Sequence, residues 1–348
     1  MNIDEKYMKI CLQLAKQGMR NVAPNPTVGA VLVYQDTIIG KGVTSAYGGN
    51  HAEVNCINSV KDEDISLIAK STLYVSLEPC AHFGKTPPCA DLVIKHKIPK
   101  VVVSCIDSFS EVSGKGIARM EAAGIDVTVG VLEKEALELN KRFFTFHTKK
   151  RPYIILKWAQ TQDGYIDIDR NSSTNMDNWI TTPASKKLVH QWRAEEQSIM
   201  VGTNTALNDN PSLTVREVEG NNPTRIVLDM DLRLPENLHI FDKTVPTLVI
   251  NKLKNETSPN LEFIQINADK NLLTQILQEL YNRDIQSVII EGGAQILNSF
   301  ITQKLWDEAR VFTGKKTFKK GLQAPKIDKS SKFTTQIDSD VLTTYFND

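Results

Sequence analysis

The chain has no long apolar run, no surplus of either charge and few cysteines, and each shortage removes a class of protein. The apolar run Val28–Tyr34 is seven residues long, far below the roughly 18 that span a bilayer. Basic and acidic residues number 41 each, and each half of the chain is balanced on its own. A neutral chain lacks the clustered positive charge of a nucleic-acid binder or a binder of anionic membranes. Five cysteines, an odd and small number for 348 residues, do not build a disulfide framework. They fit a reducing, cytoplasmic setting in which cysteine serves a metal or catalysis. The start, Met1-Asn2-Ile3-Asp4-Glu5-Lys6, is polar and acidic, unlike a signal peptide. Repeats and low-complexity tracts are absent too.

What is present is ordinary globular composition, 41% hydrophobic and 24% charged with 18 Gly and 14 Pro. At about 100–200 residues per domain, the length allows two or three domains. A basic, proline-bearing stretch, His147-Thr148-Lys149-Lys150-Arg151-Pro152, separates two strongly patterned regions. Pro152 disfavours a helical Arg151, so the expected domains are 1–146 and 147–348.

Both regions alternate strand and helix patterns, which predicts two α/β domains. In the first, helices are expected at Asp4–Gly18, Ala52–Val60, Ala90–His96 and Ile117–Ala123. Strands are expected at Val28–Val33, Leu73–Leu77, Val101–Cys105 and Val127–Val129, in a largely parallel sheet. In the second, strands are expected at Tyr153–Lys157, Ser198–Val201, Arg225–Leu228, Leu248–Ile250 and Ser287–Ile290. Helices are expected at Ala184–Glu195, Asn271–Asn282 and Gln295–Thr302.

The sharpest constellation is His51-Ala52-Glu53, then Glu78-Pro79-Cys80, then Cys89. One imidazole and two thiolates suit a tetrahedral Zn²⁺ whose fourth position is left for water. Glu53 need not ligate; it can take the water proton and deliver it to a leaving amine. The pattern nearly meets the H-x-E…P-C-x-x-C deaminase signature, except that eight residues, Ala81 to Pro88, separate the two cysteines. Cys11, Cys56 and Cys105 read as packing residues. His82 is left over once three ligands are assigned, and His96, His190 and His239 read as surface or cap residues.

The second region carries weaker signals: Lys157–Gly164, Trp179-Ile180-Thr181, Arg193-Ala194, Val201–Arg216 and Ile290-Glu291-Gly292-Gly293. The Gly pair between a strand and a helix could admit a pyrophosphate to the helix N-terminus or could be a structural turn. It is not the G-x-G-x-x-G fingerprint. Each Arg could grip a phosphate or form a surface salt bridge.

The run Leu77–Ala90, with its inserted loop, and the segment Asn25–Val31 resemble the bifunctional riboflavin-pathway deaminase/reductase family. The second-region segments resemble the reductase half of that family over most of 153–312. The resemblance implies a cytidine-deaminase-like α/β/α sandwich followed by a dihydrofolate-reductase-like α/β domain. It implies Zn²⁺ and NADPH as cofactors and a small phosphorylated diaminopyrimidinone as substrate, deaminated and then reduced to a ribityl product. Asn25 and Lys85 would then hold the substrate in the deaminase. In the reductase, Ala159, Trp179, Thr205, Asp209 and Gly293 would contact the cofactor. Arg193, Leu213, Arg216 and Glu291 would contact the substrate, with Asp209 the candidate general acid. Nucleic-acid and membrane partners are not expected, and a homo-oligomer is compatible with the sequence.

Four positions depart from the family pattern: Thr44 for a His, Phe109 within a changed loop, Asp177 for a Ser, and Met230 for a Ser or Thr. Two other readings therefore stand beside the first. Only one domain could be active or the base could differ, or the chain could be a zinc-stabilised RNA-binding module, which its neutrality disfavours.

Overall fold

The computed structural model describes all residues except 1, 20–21, 84–86, 108–112, 171–177, 268–269, 329–331 and 348. The chain divides into two compact units, Met1–Lys150 and Arg151–Asp348. The division falls later than position 146 because a helix begun at Lys141 continues to Lys149 and stops only at Lys150, whose φ is +54°. Among the described residues no helix is long and apolar enough to cross a membrane.

The first unit runs α1 (Ile3–Gly18), β1 (Gly29–Tyr34), β2 (Thr37–Val43), α2 (Ala52–Asn58), β3 (Thr72–Val75), α3 (Cys89–Lys95), β4 (Lys100–Val103), α4 (Lys115–Ala122), β5 (Asp126–Val129), α5 (Glu133–Leu139) and α6 (Lys141–Lys149). A 3-10 helix, Asp62–Lys70, precedes β3. Helix α1 forms because Tyr7, Met8, Cys11, Leu12 and Ala15 line one face and are buried. Its start is capped by the Asn2 side chain accepting the Asp4 N–H.

The sheet order is β2-β1-β3-β4-β5. Only β3, β4 and β5 are parallel; β1 is antiparallel to both its neighbours. The expectation of a largely parallel sheet is thus corrected. The cause is a tight hairpin: Gln35 and Asp36, both at positive φ (44° and 62°), turn β1 straight into β2. Two left-handed residues make the turn whose twist matches a hairpin, but neither is the usual Asn-Gly or Asp-Gly, so the sequence hid it.

This topology gathers chain ends at one edge. Gly29 at the start of β1 faces Val43 at the end of β2, and Ala30 faces Val75 at the end of β3. Val75 in turn faces Val103 at the end of β4. The segments before β1 and after β2, β3 and β4 therefore leave the sheet side by side. Ligands in α/β sheets bind at such an edge.

The second unit runs β6 (Tyr153–Gln160), β7 (Tyr165–Ile168), α7 (Pro183–Glu195), β8 (Ser198–Gly202), α8 (Thr203–Asp209), β9 (Thr224–Leu228), β10 (Thr247–Asn251), β11 (Glu256–Ser258), β12 (Leu261–Gln265), α9 (Leu272–Tyr281), β13 (Ser287–Glu291), α10 (Ala294–Thr302), β14 (Glu308–Thr313), β15 (Gly321–Gln323), β16 (Lys332–Ile337) and β17 (Asp340–Phe346). Its large sheet has the order β11-β12-β10-β9-β8-β13-β6-β14-β17-β16. From β12 to β14 every pairing is parallel, with antiparallel strands at both edges. β7 and β15 form a separate ribbon.

Alternation along β6 shows why its sequence is continuously apolar. Ile154, Leu156 and Trp158 enter a core with residues of α9 and α10, while Tyr153 and Ile155 enter another with Val189 and Trp192 of α7. A strand covered on both faces needs no polar face.

Candidate active sites

In the first unit the three expected metal donors converge at the gathered edge. His51 follows β2 and is the residue before α2, Cys80 follows β3, and Cys89 is the first residue of α3. His51 Nδ1 lies 3.6 Å from Cys80 Sγ and 3.3 Å from Cys89 Sγ. All three donor atoms fall within 4.8 Å of one another. Tetrahedral zinc, with Zn–S near 2.3 Å and Zn–N near 2.0–2.1 Å, sets sulfur about 3.5 Å from nitrogen. The donor set therefore fits zinc in both distance and chemistry. Hydrogen bonds from Cys89 and then from His51 hold the Cys80 thiol well below the ordinary thiol range, against the effect of burial. The same bond and burial push Cys89 up. Among the described residues this cluster holds three donors, and His82 is not one of them.

Glu53 sits in the first turn of α2 and is buried. Burial, and next the negative Cys80, push its carboxyl up to about 7, while His51 opposes them. The Cys89 thiol hydrogen-bonds to it. A carboxyl able to hold or release a proton near neutrality thus stands against the donor set.

Asn25 lies before β1 on the same edge, half-buried. The backbone beyond it is fixed by Asn140, whose amide accepts the Thr27 N–H at 2.9 Å and donates to the Thr27 carbonyl at 3.0 Å. Thr44 is buried and its hydroxyl accepts the Val28 N–H at 3.2 Å. It extends the β1–β2 pairing, its own N–H donating to the Val28 carbonyl. Lys85 and Phe109 lie outside the described residues. Cys11, Cys56 and Cys105 are buried in the core, and burial pushes all three thiols up.

Of the expected residues in the second unit, the structure joins Arg193 to Glu291 and sets the Gly292-Gly293 turn against Thr205. Glu291 ends β13, directly across the ladder from Lys157 of β6. Arg193, in the last turn of α7, donates to Glu291 at 2.8 Å, and Lys157 Nζ stands 3.8 Å from the other carboxylate oxygen. Burial alone would raise the Glu291 pKa, but Arg193 and then Lys157 hold it down at about 2. Burial lowers Lys157, against the pull of Glu291.

Gly292 and Gly293 follow at φ +85° and +74°, a conformation that only glycine adopts freely. A Cβ on Gly292 would meet Thr205 Cγ2 at 2.9 Å, so the turn and α8 are in close contact. Neither α8 nor α10 has a side-chain cap at its start, and both begin at the ends of neighbouring strands, β8 and β13. Two adjacent helix starts with backbone N–H groups free of side-chain caps fit the pyrophosphate of a dinucleotide.

Ala159 lies two residues beyond Lys157 and so on the same face of β6. Asp209 ends α8 and is ion-paired with Arg170 at 2.6 Å. Trp179 is exposed, its indole N–H donating to the Thr181 carbonyl. Leu213 is buried in the core with φ +53°, which leaves its backbone as the part able to meet a ligand. Arg216 is exposed, with its guanidinium on the Thr214 hydroxyl at 2.7 Å. Met230 follows β9, where its carbonyl accepts the Lys252 N–H, and Asp177 lies outside the described residues.

One expectation is overturned. His190 is not a surface or cap residue; it is 2% exposed, and its Nδ1 accepts the Arg216 backbone N–H at 3.1 Å. The helical spacing of α7 turns it inward beside Trp192 and Val189, and a lone polar residue at such a position carries no sequence signal. Lys157 and Glu78 stand in the quoted segments, but the sequence assigned neither a role. The β6–β13 register that sets Lys157 against Glu291, and the bonds made by Glu78, become visible only in three dimensions.

Two family models match the chain. The cytidine and deoxycytidylate deaminase zinc-binding region matches residues 1–105, and the RibD C-terminal domain matches 152–320. The riboflavin biosynthesis protein RibD of Aquifex aeolicus is 42% identical over 326 residues, 92% of this chain and 89% of that protein. RibD of Bacillus amyloliquefaciens is 37% identical over 319 residues, 89% of this chain and 84% of that one. Among solved structures, a diaminohydroxyphosphoribosylaminopyrimidine deaminase/5-amino-6-(5-phosphoribosylamino)uracil reductase from Thermotoga maritima superposes with a TM-score of 0.87. It is 36% identical, over 98% of this chain and 97% of that one.

Proposed function

The chain belongs to the RibD family of riboflavin biosynthesis, in which one chain carries a deaminase and a reductase, and from that premise we propose how its residues divide the two reactions. The first unit deaminates a small phosphorylated diaminopyrimidinone. The second uses NADPH to reduce the ribosyl group of the product to ribityl.

In the first unit His51, Cys80 and Cys89 would hold one zinc ion. When bound, zinc supplies the Lewis-acid activation of water. Glu53 takes a proton on its carboxylate and returns it to the departing ammonia. Asn25 and Lys85 hold the pyrimidine, with the Asn25 segment braced by Asn140. The observation that carries this reading is the convergence of one imidazole and two thiol sulfurs on a buried carboxyl.

In the second unit Gly293, Thr205, Ala159, Asp209 and Trp179 would bind NADPH, which supplies the hydride. Glu291 orients Arg193 and Lys157 toward the substrate, and Arg193 with Arg216 grips the 5′-phosphate. Leu213 offers its backbone. Asp209 lies in an ion pair with Arg170, so the acid role suggested by family position requires that pair to open. A reducing, cytoplasmic location accords with five cysteines that are all free.

The test follows ammonia release and NADPH oxidation separately. E53A is expected to abolish ammonia release and leave reduction of the deaminated compound intact. Retained ammonia release in E53A overturns the metal mechanism. Loss of reduction in C80A overturns the division between units.

A further inference from the structure

Glu78 lies between β3 and the metal-donor turn and is 3% exposed. Its carboxylate accepts four backbone N–H groups. Oε1 takes those of Gly116 at 2.9 Å and Ile117 at 3.3 Å. Oε2 takes those of Gly114 at 2.9 Å and Asp107 at 3.2 Å. An ionised carboxylate is the side-chain group that offers two acceptor-only oxygens. The geometry leaves little room for another residue type.

These bonds do the capping that α4 cannot do for itself. Its N-cap is Gly114, with φ +77° and no side chain to offer. Glu78 satisfies the first N–H groups from another segment and places a negative charge at the positive end of the helix. The fit is close: a Cβ on Gly116 would lie 1.9 Å from the Pro79 carbonyl oxygen. Helix α4 also holds the chain beyond Cys80. Arg119 donates to the Ala81 carbonyl at 3.2 Å and pairs with Asp91 of α3 at 2.9 Å. Cys80 is therefore bracketed, with Glu78 and Pro79 fixed on one side and Ala81 on the other, all against α4. The same arginine ties α4 to the helix that begins with Cys89.

We propose that Glu78 is a positioning residue for the metal ligand Cys80, locking the start of α4 so that the Cys80 sulfur is held ready for zinc. The proposal rests on the zinc reading given above. Partners that orient metal ligands typically change metal affinity by about 10–100-fold when removed. In E78Q one acceptor oxygen becomes an NH₂ facing backbone donors, so the lock opens while the volume is kept.

The experiment measures zinc release from the full-length protein to a chromogenic chelator. Wild type, E78Q, R119Q and a core variant matched to E78Q in thermal stability and remote from the donor edge, such as V33A at the far end of β1, are compared. E78Q is expected to release zinc roughly tenfold faster or more, R119Q by a smaller factor, and the matched variant at the wild-type rate. Added zinc should restore the deaminase kcat of E78Q with KM unchanged. If E78Q fails to fold, R119Q carries the test, because its guanidinium is partly exposed and its loss leaves no buried charge. Equal release rates for wild type and both variants overturn the proposal. So does equal acceleration in the matched variant, or an E78Q defect that persists as a raised KM at saturating zinc. A wild type that retains no zinc overturns instead the metal reading on which the proposal rests.

Discussion

Arg193 donates to Glu291 at 2.8 Å and joins the last turn of α7 to the residue directly before the Gly292-Gly293 turn. Lys157 stands at 3.8 Å from the free side of the same carboxylate. Two cations thus share one buried anion. The surplus positive charge, together with Arg216 nearby in sequence on the braced 213–216 segment, suits a phosphorylated substrate. A neutral chain can therefore bind an anion through a few placed groups, without a global field.

Removing Arg193 leaves Glu291 with the more distant Lys157 alone. R193A is expected to raise the reductase KM about 10–100-fold, the worth of a hydrogen bond between charged groups at roughly 1.5–3 kcal/mol. R193K should recover part of this, because it restores charge without the planar fork. Ammonia release by the first unit should be unchanged in both, which steady-state assays of the two half-reactions would show.

Glu291 also sets a pH dependence of stability. Its pKa falls from an ordinary 4.5 to about 2 in the folded unit. A depressed carboxylate contributes stability that is fully present above the unfolded value and is lost as pH falls through the folded value. Between pH 5 and 8 the contribution is flat; between about pH 4.5 and 2 it disappears. Denaturant titrations at pH 5 and pH 3 should therefore show a smaller acid loss for E291Q than for wild type. An identical loss in both would mean that the carboxylate is not held ionised by Arg193 and Lys157.

The sequence carried the first site more fully than the second, and the reason is chemical. His51, Glu53, Cys80 and Cys89 are rare residue types at fixed spacings, so their chemistry is written in the chain itself. Arg193, Glu291 and Thr205 are common types whose meaning depends on which strands are neighbours. The β6–β13 register that pairs Lys157 with Glu291 spans 134 positions of chain and leaves no local mark. Central strands such as β8 and β13 were legible because both faces are buried and their middles, Ile199–Val201 and Val288–Ile290, are uninterrupted apolar runs. The hairpin of β16 and β17 was not, since Lys332, Thr334, Thr335 and Gln336 are exposed and polar. The first sheet's mixed direction was hidden by Gln35-Asp36, a turn made by two residues without a strong turn signature.

Arg225 shows a different use of a buried charge. Its side chain is fully buried on β9, bonded to Asp242 at 2.7 Å and to the His239 carbonyl at 3.1 Å. Asp242 is a third exposed, so the two partners are not equivalent. D242N leaves a guanidinium in the interior without its counter-charge and is expected to cost about 1.5–3 kcal/mol, less than a fully buried pair because water reaches Asp242. R225M leaves a carboxylate that water can reach and fills most of the vacated volume, so it should cost less. Urea unfolding of the two single variants checks the order, and a larger loss in R225M would contradict it.

Gly292 offers the closest test of the cofactor turn. Its φ of +85° costs a residue with a side chain about 1–2 kcal/mol, and its Cβ would press on Thr205 Cγ2 at 2.9 Å. The two penalties have different remedies. T205S removes Cγ2 and keeps the hydroxyl, whose oxygen would lie 3.1 Å from the new Cβ, so it relieves the closer contact and leaves the backbone strain. G292A is therefore expected to lower thermal stability and weaken NADPH binding, followed by nucleotide fluorescence. The G292A/T205S double variant should recover the contact part alone, and the coupling between the two sites should be of order 0.5–3 kcal/mol. Additive effects would mean that Thr205 yields without cost. Unchanged NADPH affinity in G292A, with stability lowered, would make the Gly pair a structural turn and place the pyrophosphate elsewhere.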